Sequence, residues 1–246
     1  MQTIKADLHI HTVLSPCADL AMSPANIVQE AKEARLGVIG ITDHNSTRNA
    51  RVVKNLAEKE GILVLTGAEV TTKEEVHCLT FFEKEEELIE FQKYLDDNIV
   101  QIDNPDGYWG YQPVVDKDEN ILELVPYWLP AALETGISAI QKKVYSLNGI
   151  FIPAHISRPE NGIFAQLGFI PSRLEFDALE ITGRRRAGDI RKKYKLKKEW
   201  TLIRNSDAHF PQQTGRNYSF FHIEKADFSE IKMALNRQKG RFVEIV

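Results

Sequence analysis

The chain has 246 residues, of which 43% are apolar and 27% charged, as in a folded enzyme rather than a disordered or fibrous protein. Its net charge of -4 argues against a protein that coats nucleic acid through bulk positive charge. The N-terminal sequence has no apolar signal-peptide core, two cysteines cannot form a disulfide framework, and no apolar run approaches the ~18 residues of a membrane span. We therefore expect a soluble, cytoplasmic protein without a membrane partner.

Short apolar runs alternate with longer amphipathic runs in the first hundred residues. In chain order, the pattern predicts a strand at 3–10, a helix at 24–35, a strand at 38–42, a helix at 48–60, strands at 62–66 and 76–82, and a helix at 84–96. Ser23 and Pro24 are typical of a helix N-cap and first helical residue. Residues 98–130, rich in aromatics and prolines, are predicted to be an irregular insertion with structure of its own.

Regular alternation returns after the insertion. The pattern predicts a helix at 131–148, strands at 150–154 and 178–182, a helix at 189–199, a strand at 201–205, a helix at 228–239 and a final strand at 241–246. Such alternation indicates an α/β protein whose parallel sheet is covered by helices. About seven strand–helix units favour closure into a barrel, and a doubly wound open sheet is the alternative.

Six of the seven histidines are placed on or directly after predicted strands. They are His9 and His11 (first strand), His44 (second), His77 (fourth), His155 (fifth) and His209 (seventh). Glu69 follows the third strand, and Asp207 lies two residues before His209. The remaining His222 sits in the apolar run at 220–223 and is predicted to be structural.

These side chains are expected to meet, because the carboxyl ends of the strands in a parallel barrel open onto one face. Six crowded imidazoles cannot all stay neutral and hydrogen-bonded to one another, whereas divalent cations bind neutral imidazole and carboxylate. His9 and His11 are two residues apart on an extended segment, so both side chains point to one side. Eight ligands exceed one tetrahedral ion and suit two or three ions, with Glu69 as the shared carboxylate.

The order of these motifs carries a family resemblance. Asp-Leu-His-Ile-His, Ile-Thr-Asp-His, Gly-Ala-Glu, Val-His, Pro-Ala-His and Ser-Asp-Ala-His, spread over residues 9–209, together resemble the PHP (polymerase and histidinol phosphatase) superfamily. The resemblance implies one domain over residues 1–246, folded as a distorted seven-stranded β/α (TIM-like) barrel. It also implies a trinuclear site of zinc, manganese or iron.

By that resemblance, three sets of side chains would each hold one ion. They are His9, His11, Glu69 and Asp207; Glu69, His77 and His155; and His44 with His209. Glu69, Asp207 and His209 are the residues on which catalysis would depend. Asp7 and Asp43, which flank two motifs, would orient imidazoles.

The chain departs from the family pattern at one position. Many relatives carry an aspartate five residues after the second histidine, where this chain has Pro16. Asp19 is the alternative carboxylate for the third ion, and water is the other. Cys17 is read as a packed loop thiol, and Cys78, beside His77 on a strand, is expected to face away from the site.

Clustered divalent ions predict a hydrolase. They bring the pKa of a bound water near neutrality and clamp phosphate oxygens, so we expect in-line attack on phosphorus by a metal-bridging hydroxide. Arg158, on the loop after the fifth strand, and Arg184, in the triplet after the sixth, are the candidate phosphate ligands, because guanidinium matches phosphate oxygens in bidentate fashion.

Four functions stay open from the sequence. The leading one is a phosphomonoesterase acting on a small phosphorylated metabolite or nucleotide, and the second is a nuclease acting on short single-stranded ends. The others are a non-catalytic metal-binding module and an amidohydrolase. The complete ligand set disfavours the module. The absence of a bridging lysine after the fourth strand disfavours the amidohydrolase.

Overall fold

The computed structural model describes residues 1–183 and 186–245, and the predicted phosphate ligand Arg184 lies outside this part. The strands are β1 Gln2–Ile10, β2 Val38–Ile41, β3 Leu63–Thr71, β4 His77–Phe82, β5 Pro113–Val115, β6 Ile121–Leu124, β7 Ile150–Pro153, β8 Leu179–Ile181, β9 Leu202–Arg204, β10 Ser219–Ile223 and β11 Phe242–Ile245. The α-helices are α1 Pro24–Glu33, α2 Ala50–Ala57, α3 Glu85–Asn98, α4 Ile137–Ser146, α5 Ile163–Gln166, α6 Ala187–Tyr194 and α7 Phe228–Leu235. Within the described ranges, no helix is long and apolar enough to cross a membrane.

The strands form a curled sheet with the order β11-β10-β1-β2-β3-β4-β7, and β8 pairs with β9 separately. The β8–β9 pair lies between β7 and the carboxyl end of β1. Ile156, just after β7, donates its N–H to the carbonyl of Glu180, and Ala208, beyond β9, exchanges backbone hydrogen bonds with His9 and His11. The predicted α/β, TIM-like architecture is therefore confirmed.

The sequence pattern predicted a parallel sheet, but the observed sheet is only partly parallel. β4 runs antiparallel to both β3 and β7. Only residues 72–76 separate β3 from β4, whereas a parallel crossover needs a dozen or more residues. Reversal of β4 places its first residue, His77, at the sheet end where the parallel strands finish.

Two further elements differ from the sequence prediction. β10, which pairs antiparallel with β1, was not predicted, although its burial alternates in the two-residue period of a strand. Helix α4 begins at Ile137 rather than at 131, because Gly136 is its N-cap and the Glu74 carboxylate accepts the N–H of Ile137 at 2.9 Å. Helix α1 begins as predicted, with Ser23 as N-cap and Pro24 as its first residue.

Apolar side chains fill the inside of the curl and both layers between sheet and helices. The inner cluster includes Leu8, Leu79, Phe81, Ile152 and Phe221, all fully buried. Helices α1 to α6 pack outside on two further clusters, whereas α7 contributes to the inner cluster. Cys78 belongs to one of these outer clusters, so it faces away from the strand-end residues, as predicted.

Gly67 is the tightest point of the sheet. A Cβ on this β3 residue would lie 1.7 Å from the carbonyl oxygen of Thr80 on β4. We expect Gly67→Ala to lower the free energy of unfolding by about 3 kcal/mol or more, because backbone must separate to admit the methyl group. Urea denaturation measures this loss. Gly188→Ala is the matched control, since its Cβ meets no heavy atom within 4 Å. Equal stability of the two variants would contradict the close approach.

Residues 98–130 form a short helical turn and the β5–β6 hairpin beside the strand ends that carry the histidines. Two asparagines attach this segment to the sheet. Asn45 donates to the carbonyls of Leu129 and Ala131 at 2.7 and 2.8 Å, and Asn49 bonds both Pro113 and Val115. The segment therefore forms one wall of the cavity described below.

Candidate metal centre

The structure brings together eight of the nine predicted metal ligands. They are His9, His11, His44, Glu69, His77, His155, Asp207 and His209. The backbone explains the convergence: six come from the ends of β1, β2, β7 and β9 and from the loops after them, Glu69 lies within β3, and antiparallel β4 contributes its first residue. Asp207 and His209 are partly buried and the other six are buried.

Glu69 lies at the centre of this cluster. Its Oε1 is 2.9 Å from both His77 Nδ1 and His155 Nε2. Its Oε2 is 3.3 Å from both His11 Nε2 and His44 Nδ1. One buried carboxylate therefore faces ligand atoms from several strands, as a shared ligand must.

One group has the spacing of a coordination shell. His9 Nε2 lies 3.2 Å from His11 Nε2 and 3.3 Å from both Glu69 Oε1 and Asp207 Oδ1, and His11 Nε2 lies 3.4 Å from Asp207 Oδ1. Ligand atoms about 2.1 Å from a tetrahedral ion lie about 3.4 Å from one another. The four side chains therefore fit a divalent cation.

Two neighbouring groups share members with the first. One joins His44, Glu69 and His77, and the other joins His11, His44 and His209. His44 Nδ1 is buried without a hydrogen-bond partner, a costly state for a polar atom that a cation would relieve. Shared ligands around several positions are typical of a multinuclear centre.

Glu180 is a buried acid beside the cluster that the sequence analysis missed. Its carboxylate accepts a hydrogen bond from His9 Nδ1 at 3.0 Å, from the backbone N–H of His155 at 2.8 Å and from Asn205 Nδ2 at 2.7 Å. A proton on Nδ1 leaves Nε2 of His9 with its lone pair toward Glu69 and Asp207. The available signal was an acidic residue inside the short apolar strand at 178–182.

His11 is oriented through Ser15. The Ser15 hydroxyl donates its one proton to Asp43 Oδ1 at 2.7 Å, so it accepts from His11 Nδ1 at 2.9 Å. Nε2 of His11 is then free to bind a cation. Asp43 thus acts on an imidazole through a hydroxyl, close to the role that the resemblance implied.

Asp7, unlike Asp43, does not orient an imidazole. Its carboxylate accepts the backbone N–H groups of Ser206 and Gly215 at 2.9 and 2.8 Å and contacts no imidazole. Burial raises the pKa of Asp7 to about 6. Asp7 ties the end of β1 to the two loops after β9, because its strand position points it away from the cluster.

The cluster's electrostatics favour cation binding. Burial would raise the pKa of Glu69, but the charges of His77 and His9 hold it well below the ordinary range. Burial and the nearby His11 lower the pKa of His44 well below its usual value and that of His209 to about 4. The ionised Glu69 and the neutral His44 and His209 are in the protonation states that divalent cations require. Burial alone would lower the pKa of His9 and His11, but nearby carboxylates raise the pKa of His9 well above its usual value and that of His11 to about 9, so a cation bound by these two imidazoles displaces protons.

Two ligand residues are held in unfavourable backbone conformations. His155 has φ +29° and Asp207 has φ +54°, in the left-handed region. Such residues cost about 1–3 kcal/mol each and persist where the surrounding structure fixes them. Hydrogen bonds fix both here, since His155 N–H donates to Glu180 and the Asp207 carboxylate accepts from Arg158.

Asp19 and His222 lie outside the cluster. Asp19 remains a prediction as a metal ligand; it belongs to none of the three groups, it is exposed, and its carboxylate accepts the N–H of Ala21 at 2.8 Å in a local turn. His222 pairs with Thr3 near the start of β1, the far end of that strand from His9, as expected of a structural residue.

A cavity of about 370 Å³ opens onto the cluster. Its lining is Pro16, Cys17, His44, Glu69, His77, Trp109, Trp128, Pro130, Arg158, Asn161, Asp207 and His209. Arg158 is at this wall as predicted, and its Nη1 donates to Asp207 Oδ2 at 2.8 Å. A second, more polar cavity of about 440 Å³ shares Arg158 and Asp207 and adds Arg216.

Comparison with known proteins gives one curated relative and two solved structures of note. The uncharacterized protein YqxK of Bacillus subtilis is 34% identical over 115 residues, which are 44% of this chain and 29% of YqxK. The lesion-specific endonuclease PfuEndoQ of Pyrococcus furiosus is similar over 98% of this chain and 58% of its own, with TM-score 0.75 and 20% identity.

The second structure is a two-domain protein of Bacteroides vulgatus that contains a predicted PHP-like metal-dependent phosphoesterase. It covers 99% of this chain and 65% of its own, with TM-score 0.56 and 18% identity. This chain therefore spans less than two thirds of the length of each of the three proteins. At these identities the two solved structures show a common fold.

The family itself is shown by sequence. A family model described as the PHP domain matches residues 7–140, more than half of the chain. The match contains His9, His11, His44, Glu69 and His77. With the ligand cluster and the curled sheet in place, the chain belongs to the PHP domain family.

Proposed function

We propose that this protein is a metal-dependent phosphoesterase that hydrolyses a small phosphorylated metabolite or nucleotide. The observation that carries the proposal is the group formed by His9, His11, Glu69 and Asp207. Its two imidazole Nε2 atoms lie 3.2 Å apart and 3.3–3.4 Å from carboxylate oxygens, beside a cavity lined by Arg158. Phosphate esters need such a combination, because their oxygens are neutralised by cations and bound by guanidinium. A cytoplasmic location remains part of the proposal.

We assign two or three divalent ions to the cluster, with zinc, manganese and iron as candidates. His9, His11, Glu69 and Asp207 would hold one; Glu69, His77 and His155 a second; and His44 with His209 a third. When bound, such ions lower the pKa of a coordinated water and neutralise phosphate charge. Glu69 would be shared between ions, because both of its oxygens already face imidazoles.

The chain's own residues divide the remaining work. Asp207 faces His9 with Oδ1 and Arg158 with Oδ2, so it couples the metal centre to the cavity wall. Arg158 is 43% exposed, and its fork of N–H groups suits two phosphate oxygens. Glu180 and Ser15 hold His9 and His11 in the tautomers that bind cations.

A nuclease is the second candidate. The structural observation that favours it is the polar cavity beside Asp207, in which Arg158 and Arg216 offer room for a second phosphate. The fold likeness to a lesion-specific endonuclease over 98% of the chain agrees with this alternative. Arg184 stays a prediction for phosphate binding.

Metal analysis and hydrolysis in one preparation test the proposal. We expect two to three equivalents of transition metal in protein purified without chelator. We also expect release of phosphate or nucleotide from a panel of phosphomonoesters and short oligonucleotides, abolished by chelation and restored by added metal. Preference for phosphomonoesters would favour the small-molecule phosphoesterase, and preference for oligonucleotides would favour the nuclease. Less than one equivalent, with no hydrolysis after manganese, zinc or iron is added, would favour a non-catalytic binding module.

A further inference from the structure

Three aromatic residues of the segment at 98–130 stand at the mouth of the metal cavity. Trp109 and Trp128 line the cavity together with His44, Glu69 and His77. Their ring centroids are 6.1 Å apart, and Tyr108 meets Trp109 edge-on at 4.9 Å. We call Tyr108, Trp109 and Trp128 the aromatic rim.

Two of the three rim residues are exposed, although large aromatic side chains are usually buried, and Trp128 is partly buried against the core. Tyr108 is 77% exposed and Trp109 is 54% exposed, so these two rings do not form a core for their own segment. Apolar surface of this kind beside a polar cavity marks a ligand-binding site. The rings offer flat faces directly next to the candidate metal centre.

The backbone holds the aromatic rim in place. The N–H of Trp109 donates to Asn104 Oδ1 at 2.9 Å, and Asn104 also bonds the carbonyl of Gly110. A Cβ on Gly110 would lie 2.6 Å from the carbonyl oxygen of Pro16, so the segment is pressed against the turn after β1. Pro16 therefore forms part of an apolar wall that continues into the rim.

The second, polar cavity provides cationic rather than aromatic surface. Arg158 and Asp207 belong to both cavities, whereas Trp109 and Trp128 line only the first and Arg216 only the second. The site thus has two sides, an aromatic side formed by the first cavity and a cationic side formed by the second, with Arg158 and Asp207 common to both. A substrate that uses both sides has a flat apolar group on one side of the scissile phosphate and further negative charge on the other.

We propose that the aromatic rim stacks an unpaired nucleobase next to the scissile phosphate, which makes the substrate a nucleotide or single-stranded nucleic acid. This rests on the phosphoesterase function proposed above. Every base has a π-face, and stacking on an aromatic side chain is sequence-tolerant. A base paired within a duplex has its faces covered by neighbouring bases, so the rim selects unpaired ones.

Matched substrates with and without a base test the stacking. Thymidine 5′-monophosphate is compared with deoxyribose 5-phosphate, and tetrathymidylate with a base-free chain of equal length. We expect Trp109→Ala to lower the ratio of kcat/KM for the base-containing to the base-free member by about 10- to 100-fold. Trp109→Phe should keep most of the ratio. Tyr111→Ala, an exposed aromatic outside the metal cavity, is the control and should keep all of it.

Tryptophan fluorescence gives a readout independent of turnover. Thymidine 5′-monophosphate should quench the wild-type emission, deoxyribose 5-phosphate should not, and Trp109→Phe should remove the quenching. Hydrolysis of both substrate types with equal efficiency and no base-dependent quenching would overturn the rim proposal and leave the phosphoesterase intact. Base-dependent quenching without any hydrolysis would support the rim and overturn the phosphoesterase function.

Discussion

Replacing Glu69 with glutamine is expected to lower kcat/KM by on the order of 10³-fold and to reduce bound metal. The reason is its central position: both oxygens face imidazole nitrogens at 2.9–3.3 Å, and a neutral amide replaces one acceptor with a donor. Steady-state kinetics and elemental analysis of the same preparation measure both effects. The fold should survive, because glutamine keeps the volume and the backbone pairing of β3.

Asp177→Asn provides a matched control for Glu69→Gln. Asp177 is also buried, but it lies away from the cluster and accepts Phe151 N–H at 2.8 Å and Asn236 Nδ2 at 2.7 Å. In the variant, the NH₂ group of the asparagine must face one of these two donors. We therefore expect a loss of about 1–3 kcal/mol in the free energy of unfolding, with metal content unchanged. A Glu69→Gln variant that retained wild-type turnover and metal would refute the central role of Glu69.

Glu180→Gln is expected to weaken metal binding by about 10- to 100-fold. The carboxylate has three donor partners, His9 Nδ1, His155 N–H and Asn205 Nδ2, so the amide NH₂ of glutamine meets a donor in either orientation. His9 Nδ1 lies 3.0 and 3.1 Å from the two carboxylate oxygens, so glutamine leaves it one neutral amide oxygen in place of the charged acceptor that fixes its proton on Nδ1. Competition with a chromophoric chelator measures the change in metal affinity.

Rescue by metal distinguishes positioning from simple destabilisation. If Glu180 acts by orienting His9, excess metal should restore most of the lost kcat/KM in Glu180→Gln. Glu123→Gln, on the exposed strand β6, should change neither affinity nor turnover. Wild-type metal affinity in Glu180→Gln would show that the hydrogen bond to His9 does not support the metal centre.

The clustered side chains were readable from the sequence because all but Glu69, which lies within β3, are tied to a strand end. Apolar runs of strand length define where strands finish, and histidines or acids follow those points in order. His77 was placed correctly by its motif even though its strand runs in the opposite direction. The short link at 72–76 already carried the information needed to reverse β4.

Asp19 is the predicted ligand that the structure does not bring into the cluster. It lies eight residues after His11, close enough to suggest a ligand in place of the residue at Pro16. Its carboxylate instead closes a local turn with Ala21, while Pro16 packs against Gly110. A local hydrogen bond thus occupies the Asp19 carboxylate, and a contact from the distant segment at 98–130 fixes the position of Pro16.

The sequence by itself determined the α/β class, most strands and helices, and which eight side chains cluster, because these depend on local periodicity and on motif spacing. Only the tertiary structure decided the direction of β4, the orientation of His9 by Glu180 across 171 residues, the loop contacts of Asp7 and the exposure of Trp109 at the cavity. These features depend on which strands and loops become neighbours. Hydrogen-bond partners far apart in the chain leave no periodic signal in it.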